Sequence, residues 1–145
     1  MVASVKVIGE ANVMKSVADK LFQYLGYQVA PVNYVGKIIT ISPPVVMNGK
    51  ELKAELGYVY WPKFKVGYAC YVYIDKPIRR QGIGTILSDY YFNDLKRNGI
   101  ERTFIYVFNP KAMGYLKLRG YKPIDLKSRF QWMDRDLKYT ELDLL

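Results

Sequence analysis

The sequence predicts an α/β fold: a mixed, largely antiparallel sheet flanked by helices. Three observations carry that expectation. The middle of the chain, Tyr27 to Ile74, reads as strands separated by turn signals; strand-like and helix-like segments then alternate; and the segment Val66–Ile74 carries no charge at all. Hairpin-joined strands pair antiparallel, whereas a strand–helix–strand unit brings in a parallel pair.

The elements follow in order. Val2–Ile8 sets Val5 and Val7 against Ser4 and Lys6, the period-2 alternation of a strand. Asn12 offers an N-cap oxygen, Val13, Val17, Leu21 and Leu25 recur every four residues, and Gly26 supplies a stop, which predicts an amphipathic helix. Lys37–Ile41 is rich in β-branched residues, and Pro43-Pro44 ends it because proline cannot donate to a ladder. Asn48-Gly49 is the dipeptide of a two-residue hairpin. Leu52–Trp61 and Phe64–Ile74, parted by Pro62-Lys63, predict a second antiparallel pair. The uncharged strand should be buried on both faces and central in the sheet. Gln81–Asn98 places Ile83, Ile86, Leu87, Tyr90, Tyr91 and Leu95 at helical spacing and ends at Asn98-Gly99. Thr103–Phe108 is a short strand. Asn109-Pro110 reads as an N-cap with proline at the first helical position, opening a helix to about Arg119 that stops at Gly120. Phe130–Leu137 is a last strand.

With 145 residues, no repeat and no linker-like stretch, the chain is expected to form a single domain over 1–145. Half of it is apolar and 24% is charged, a globular composition. The single cysteine, Cys70, removes any disulfide framework. The absence of histidine removes Ser-His-Asp, Cys-His and zinc-hydrolase mechanisms, so no metal is expected. Twenty-two Lys and Arg against 13 Asp and Glu give a net charge of +9, which favours an anionic partner: nucleic acid, an acidic membrane surface or a polyphosphorylated small molecule. The N-terminus lacks the apolar core of a secretory signal, and Lys, Asp, Asn or Pro interrupts every apolar run. A cytoplasmic protein with no membrane partner is the expectation.

Chemistry concentrates at Arg79-Arg80-Gln81-Gly82-Ile83-Gly84. Two glycines open a long helix just after the uncharged strand, so backbone N–H groups and the positive end of the helix dipole face a close-lying ligand, and Lys76, Arg79 and Arg80 add formal charge. The site suits phosphate. It is not a Walker A loop, since no Gly-Lys-Ser/Thr ends it, and it lacks the third glycine of a dinucleotide fingerprint.

The pattern Gln/Arg-x-x-Gly-x-Gly/Ala between a central strand and a long helix resembles the acetyl-CoA loop of the GNAT superfamily of N-acetyltransferases. Asn109, Ala112, Gly120 and Tyr121 are similar to that family's Asn-x-x-Ala start and Gly-Phe/Tyr ending of its short fourth helix. The motifs cover Phe64–Ile124. The resemblance implies a GNAT-like sheet with splayed central strands forming an acetyl-CoA cleft, and transfer of acetyl from acetyl-CoA to a primary amine. It implies that the amides of Gln81, Gly82, Ile83, Gly84 and Thr85 hold the CoA pyrophosphate, with Arg79 and Arg80 at the start of that loop. Val72 and Ile74 would lie on the strand that pairs with the pantetheine arm and polarises the thioester. Asn109 would contact the arm, although helix capping is an equal role for it. The family often protonates the leaving thiolate with a tyrosine in the fourth helix, and here that position is Leu116, with Tyr115 one residue early. Three readings stay open: an irregular first turn brings Tyr115 into place; another group or water serves; or the chain binds CoA, protein or nucleic acid without catalysis.

For the general base the candidates are Glu51, Glu55, Asp75, a tyrosine or water, with Glu55 first to be tested. Tyr58, Tyr60, Tyr71 and Tyr73 either line an acceptor pocket or pack the sheet. The resemblance points to the first helix and the loops Pro31–Gly36 and Pro43–Gly49 as shaping the acceptor site, and these carry no motif, so a protein N-terminus, a lysine side chain, an amino acid and a small polyamine are all open, with the basic charge mildly disfavouring a polyamine and mildly favouring an acidic protein. Nucleic acid is not favoured, because the basic residues are scattered.

Overall fold

Alternation, turn dipeptides and helical spacing set the local elements, and two faces of one sheet then gather the apolar residues. The computed structural model describes residues 4–140; Val2 and Ala3 of the first expected strand lie outside them. The elements are β1 (Ser4–Gly9), α1 (Lys15–Tyr24), β2 (Val35–Ser42), β3 (Val45–Met47), β4 (Lys50–Leu52), β5 (Ala54–Trp61), β6 (Val66–Ile74), α2 (Ile83–Arg97), β7 (Arg102–Val107), α3 (Ala112–Leu118), β8 (Lys122–Ile124) and β9 (Gln131–Asp136). Among the described residues seven strands form one mixed sheet in the order β1-β2-β5-β6-β7-β9-β8, while β3 and β4 make a separate hairpin. Neighbours in the main sheet run antiparallel except β6 and β7, which are parallel. The hairpin turns at Asn48 and Gly49, both at positive φ (53° and 77°), as a tight primed turn requires. Among the described residues no helix is long and apolar enough to cross a membrane.

Each face of the sheet has its own core. α2 packs Leu87, Tyr91 and Leu95 against Ile39, Leu56, Tyr58 and Ala69. α1 packs Leu21 and Phe22 against Val59, Trp61, Val66 and Phe104, with the Phe22 ring edge-on to Trp61 at 4.8 Å.

Four expectations are corrected. Asn12 does not cap α1: Met14 holds the N-cap position, and the Asn12 carboxamide accepts instead from the Tyr34 hydroxyl at 3.3 Å, which delays helix entry. The stretch Leu52–Trp61 is not one strand, because Leu52 ends the small hairpin and Ala54 begins β5. Asn109 caps a turn and not the helix: its side chain accepts from the Lys111 N–H at 3.1 Å, and α3 begins only at Ala112. The uncharged strand β6 is central but buried only from Val66 to Ala69, whereas Tyr71, Val72 and Tyr73 are 39%, 48% and 46% exposed. The reason is the loss of its neighbour on one side, described below.

A charged knot holds α2 to the sheet. The Asp94 carboxylate, 6% exposed, accepts from Tyr58 Oη at 2.5 Å and Lys37 Nζ at 2.9 Å, from Arg97 on its own helix and from Asn98 just beyond it. Burial pushes its pKa up, but the bonds from Tyr58 and Lys37 outweigh that and hold it below the usual carboxylate value. A depressed folded-state pKa gives stabilisation that is full above the unfolded value and is lost as pH falls through the folded one. Asp94→Asn should therefore cost about 3 kcal/mol at neutral pH. In denaturation experiments the gap to the parent protein should close as the pH is lowered through the acid range below about 4.

Candidate functional site

The parallel pair sets the site. β6 and β7 register from Val66 with Arg102 to Ala69 with Ile105, and no further. At that point β6 bulges: Tyr58 of β5 faces Ala69 and Gly57 faces Tyr71, so Cys70 is the extra residue. A bulge bends and twists its strand, and here the bend carries Cys70–Ile74 away from β7. The parted half keeps its ladder to β5 as far as Ala54 with Ile74. On its other side, alternate N–H and C=O groups face a cleft of about 300 Å³ lined by Val72, Ile74, Gly84, Tyr106 and Tyr115, among others. The cleft runs through the sheet, with Tyr91 and Leu116 on the α2 side and Tyr71 and Phe108 on the α1 side. Nothing in the run Val66–Ile74 marks Cys70 as a bulge; it reads as one small residue in a continuous strand.

α2 starts at one end of this cleft. Gly82 occupies the N-cap position at φ 82°, with Arg80 also left-handed at φ 64°, and no side chain caps the helix. The first-turn amides of Ile83, Gly84 and Thr85 are therefore offered outward, the arrangement that attracts an anion. Ile83 itself is buried and packs into the α2-side core. Arg79 and Gln81 shape the loop: Arg79 Nε donates to the Ile74 carbonyl at 2.8 Å and Gln81 Nε2 to the Pro77 carbonyl at 3.2 Å. A Cβ on Gly84 would lie 3.4 Å from Ile74 Cδ1, so the helix start packs closely on the end of β6.

α3 closes the same side. Leu116 is buried at 8% exposure and packs into the α2 core, while Tyr115, 43% exposed, turns its hydroxyl to 3.2 Å from Thr85 Oγ1. The turn at Asn109–Lys111 that delays the helix accompanies this rotation. Arg119, the residue that follows α3, pairs with Asp89 of α2 and lies over the Phe92 ring, joining the two helices. Val72, Ile74, Gly84 and Tyr115 thus come together around the cleft, with Ile83 and Thr85 in the same helix start, whereas Asn109 is engaged in its own turn.

Glu55 sits on the opposite face of the sheet from α2. Its Oε1 accepts from Tyr71 Oη at 3.1 Å and its Oε2 lies 3.5 Å from Lys53 Nζ. The Tyr71 ring lies across Gly57, where a Cβ would meet ring carbon Cε1 at 2.3 Å, so glycine is what lets the ring lie there. Asp75 accepts from Tyr73 Oη at 3.0 Å and from the Lys53 N–H at 2.5 Å; the backbone bond first and the tyrosine second hold its carboxyl below the usual value. Glu51 lies in the small hairpin, exposed. Of the four tyrosines, Tyr58 and Tyr60 are buried in the core, and Tyr71 and Tyr73 are partly exposed.

Burial pushes the Cys70 thiol up to about 12, so it is a protonated, inert packing group at neutral pH. Ellman's reagent at pH 8 should leave the folded protein essentially unlabelled and label one thiol once denaturant is added.

A family model described as Acetyltransferase (GNAT) family matches residues 42–121. No curated protein sequence gives a match. Among solved structures, an acetyltransferase of the GNAT family from Staphylococcus aureus MU50 superposes with a TM-score of 0.61 at 16% identity, over 92% of this chain and 99% of that one. A GNAT family acetyltransferase from Elizabethkingia anophelis, solved with acetyl-CoA bound, gives a TM-score of 0.58 at 12% identity, over 92% and 97%. The PaiA N-acetyltransferase from Thermoplasma acidophilum, in complex with coenzyme A, gives 0.58 at 14% identity, over 70% of this chain and 60% of that chain's length.

Proposed function

The chain belongs to the acetyltransferase (GNAT) family, and from that membership we propose that it transfers an acetyl group from acetyl-CoA directly to a primary amine. One observation carries the reading: the one-sided ladder of β6 and the uncapped start of α2 meet at a single cleft. Two relatives of the same fold are solved with CoA or acetyl-CoA bound.

The residues present fit such a ligand. A pyrophosphate is received by the amides of Gln81, Gly82, Ile83, Gly84 and Thr85, with Arg79 and Arg80 supplying charge nearby. The pantetheine arm extends along the open side of Val72 and Ile74, as an added strand would. When bound, acetyl-CoA supplies an activated acyl thioester. Backbone N–H groups of the parted half of β6 stabilise the charge that develops on the carbonyl oxygen. The amine, having lost a proton to solvent or to Glu55 by way of Tyr71, forms its N–C bond as the C–S bond breaks. Tyr115 delivers a proton to the departing sulfur, and the amide nitrogen releases its remaining extra proton. Asn109 acts as a turn-former that sets the register of α3.

Calorimetry of acetyl-CoA binding, with CoA release followed in the same samples, tests this. Gly82→Glu should abolish binding, since it sets a carboxylate against the phosphates and forces an L-residue to positive φ. No binding to the folded parent protein would end the reading, and binding without CoA release for any amine would leave a CoA-binding module. Tyr115→Phe should lower kcat by about a hundredfold, with acetyl-CoA Kd unchanged. An unaltered kcat would remove Tyr115 from the mechanism.

A further inference from the structure

At the end of the sheet away from the cleft, a second cavity of about 460 Å³ opens on the α1 side, where β6 and β7 begin and β9 ends. β7 runs between the two: Arg102 lines this cavity and Tyr106 lines the cleft, about 13 Å apart along the strand. Leu25, Phe64 and Val66 give the cavity an apolar wall, and the rest of its lining is charged.

Most of those charges pair. Arg102 Nε donates to Asp134 Oδ2, Lys65 stands 3.9 Å from Glu101, and Lys138 stands 3.9 Å from Asp136. Two groups are left over. Asp134 is 2% exposed, and its second oxygen, Oδ1, receives no hydrogen bond. Buried acceptors are normally satisfied, so an open one calls for a donor. The other is Lys122, an exposed cation with no acid partner among the described residues. It stands directly opposite Asp134 on β8, on the same face, with Cα atoms about 5 Å apart. The two side chains nevertheless make no ion pair with each other, and Asp134 turns to Arg102 instead.

These leftovers specify a ligand. A simple anion would satisfy Lys122 and bring a further acceptor to the open oxygen of Asp134. A simple cation would satisfy that oxygen and face the surplus of basic groups. An ammonium and a carboxylate on one carbon answer both, and Arg102, which spends Nε on Asp134, has its Nη groups for the same carboxylate. Asp134 lies at the floor, but the side chains beside it are long and reach solvent, Arg102 being 37% exposed, so they can shift for an entering ammonium. The apolar wall then receives an aliphatic side chain, and the volume is that of a small-molecule site.

We propose that this cavity binds a free aliphatic α-amino acid, its ammonium on Asp134, its carboxylate on Lys122 and Arg102, and its side chain against Leu25, Phe64 and Val66. The site stands apart from the acetyl-CoA cleft and does not depend on the reaction there.

Calorimetry with L-leucine, 4-methylpentanoate and 3-methylbutylamine tests this, since the two analogues lack the ammonium and the carboxylate in turn. L-leucine should bind at least about tenfold tighter than either, the scale of one charge-assisted hydrogen bond. Lys122→Met, an exposed change on an edge strand, should weaken L-leucine about tenfold while leaving 3-methylbutylamine binding and the melting temperature unchanged. Asp134→Asn should erase the advantage of L-leucine over 4-methylpentanoate. If that variant does not fold, the same comparison in the parent protein decides the point. Saturating acetyl-CoA should leave the affinity for L-leucine unaltered. No binding of L-leucine to the folded parent at millimolar concentration, equal binding of the three compounds, or an unaffected Lys122→Met would each overturn the proposal. Competition between L-leucine and acetyl-CoA would place the amino acid in the cleft and overturn it as well.

Discussion

The site depends on one constraint: the second half of β6, beyond Ala69, is held as a strand from one side only. A strand that lost both neighbours would have no reason to stay extended, and one with two neighbours would offer no backbone to a ligand. The long antiparallel ladder to β5 supplies the first condition, and the bulge at Cys70 the second, by ending the parallel ladder to β7 after Ala69. Once the strands part, the exposure of Tyr71, Val72 and Tyr73, the opening through the sheet and the approach of both helix ends to it follow from geometry.

The surrounding structure keeps that opening from collapsing. α2 contributes core residues along most of its length and is fastened near its C-terminus by Asp94 to Tyr58 and Lys37. Its N-terminal turn, formed around Gly82, carries no side-chain cap. One helix thus has an anchored end and a receptive end. α3 is tied to α2 through Arg119 and Asp89, and that docking buries Leu116 and leaves Tyr115 facing Thr85.

Much of this was legible in the sequence. Hairpin dipeptides, apolar spacing and the glycine pair at 82 and 84 carry their structural consequence locally, so the order of elements and the place of the loop could be read from neighbours in the chain. What could not be read depends on partners far away. The Asn12 and Asn109 side chains have the chemistry of caps, and tertiary contact with Tyr34 in one case and a local turn in the other decided their use. The charge-free run at Val66–Ile74 suggested burial on both faces, but such a run looks the same whether its second neighbour pairs fully or departs halfway. The orientation of Tyr115 likewise follows from where α3 begins, a matter of two residues that spacing alone does not resolve.

The one-sided ladder has a consequence for the life of the chain before it is complete. The β1-β2-β5-β6 meander is built from antiparallel neighbours, whereas β7 joins β6 only after α2 has been made and has crossed over. Until then the whole free edge of β6 is exposed, a β-branched and aromatic segment without charge or proline, which is the composition that recruits another chain into a cross-β pair. Closure by β7 covers the first half of that edge and leaves the second open by design. A ligand lying along Val72 and Ile74 would then occupy the same hydrogen-bonding groups that an aggregating neighbour would use, so that the groove which serves binding is also the seam most in need of protection.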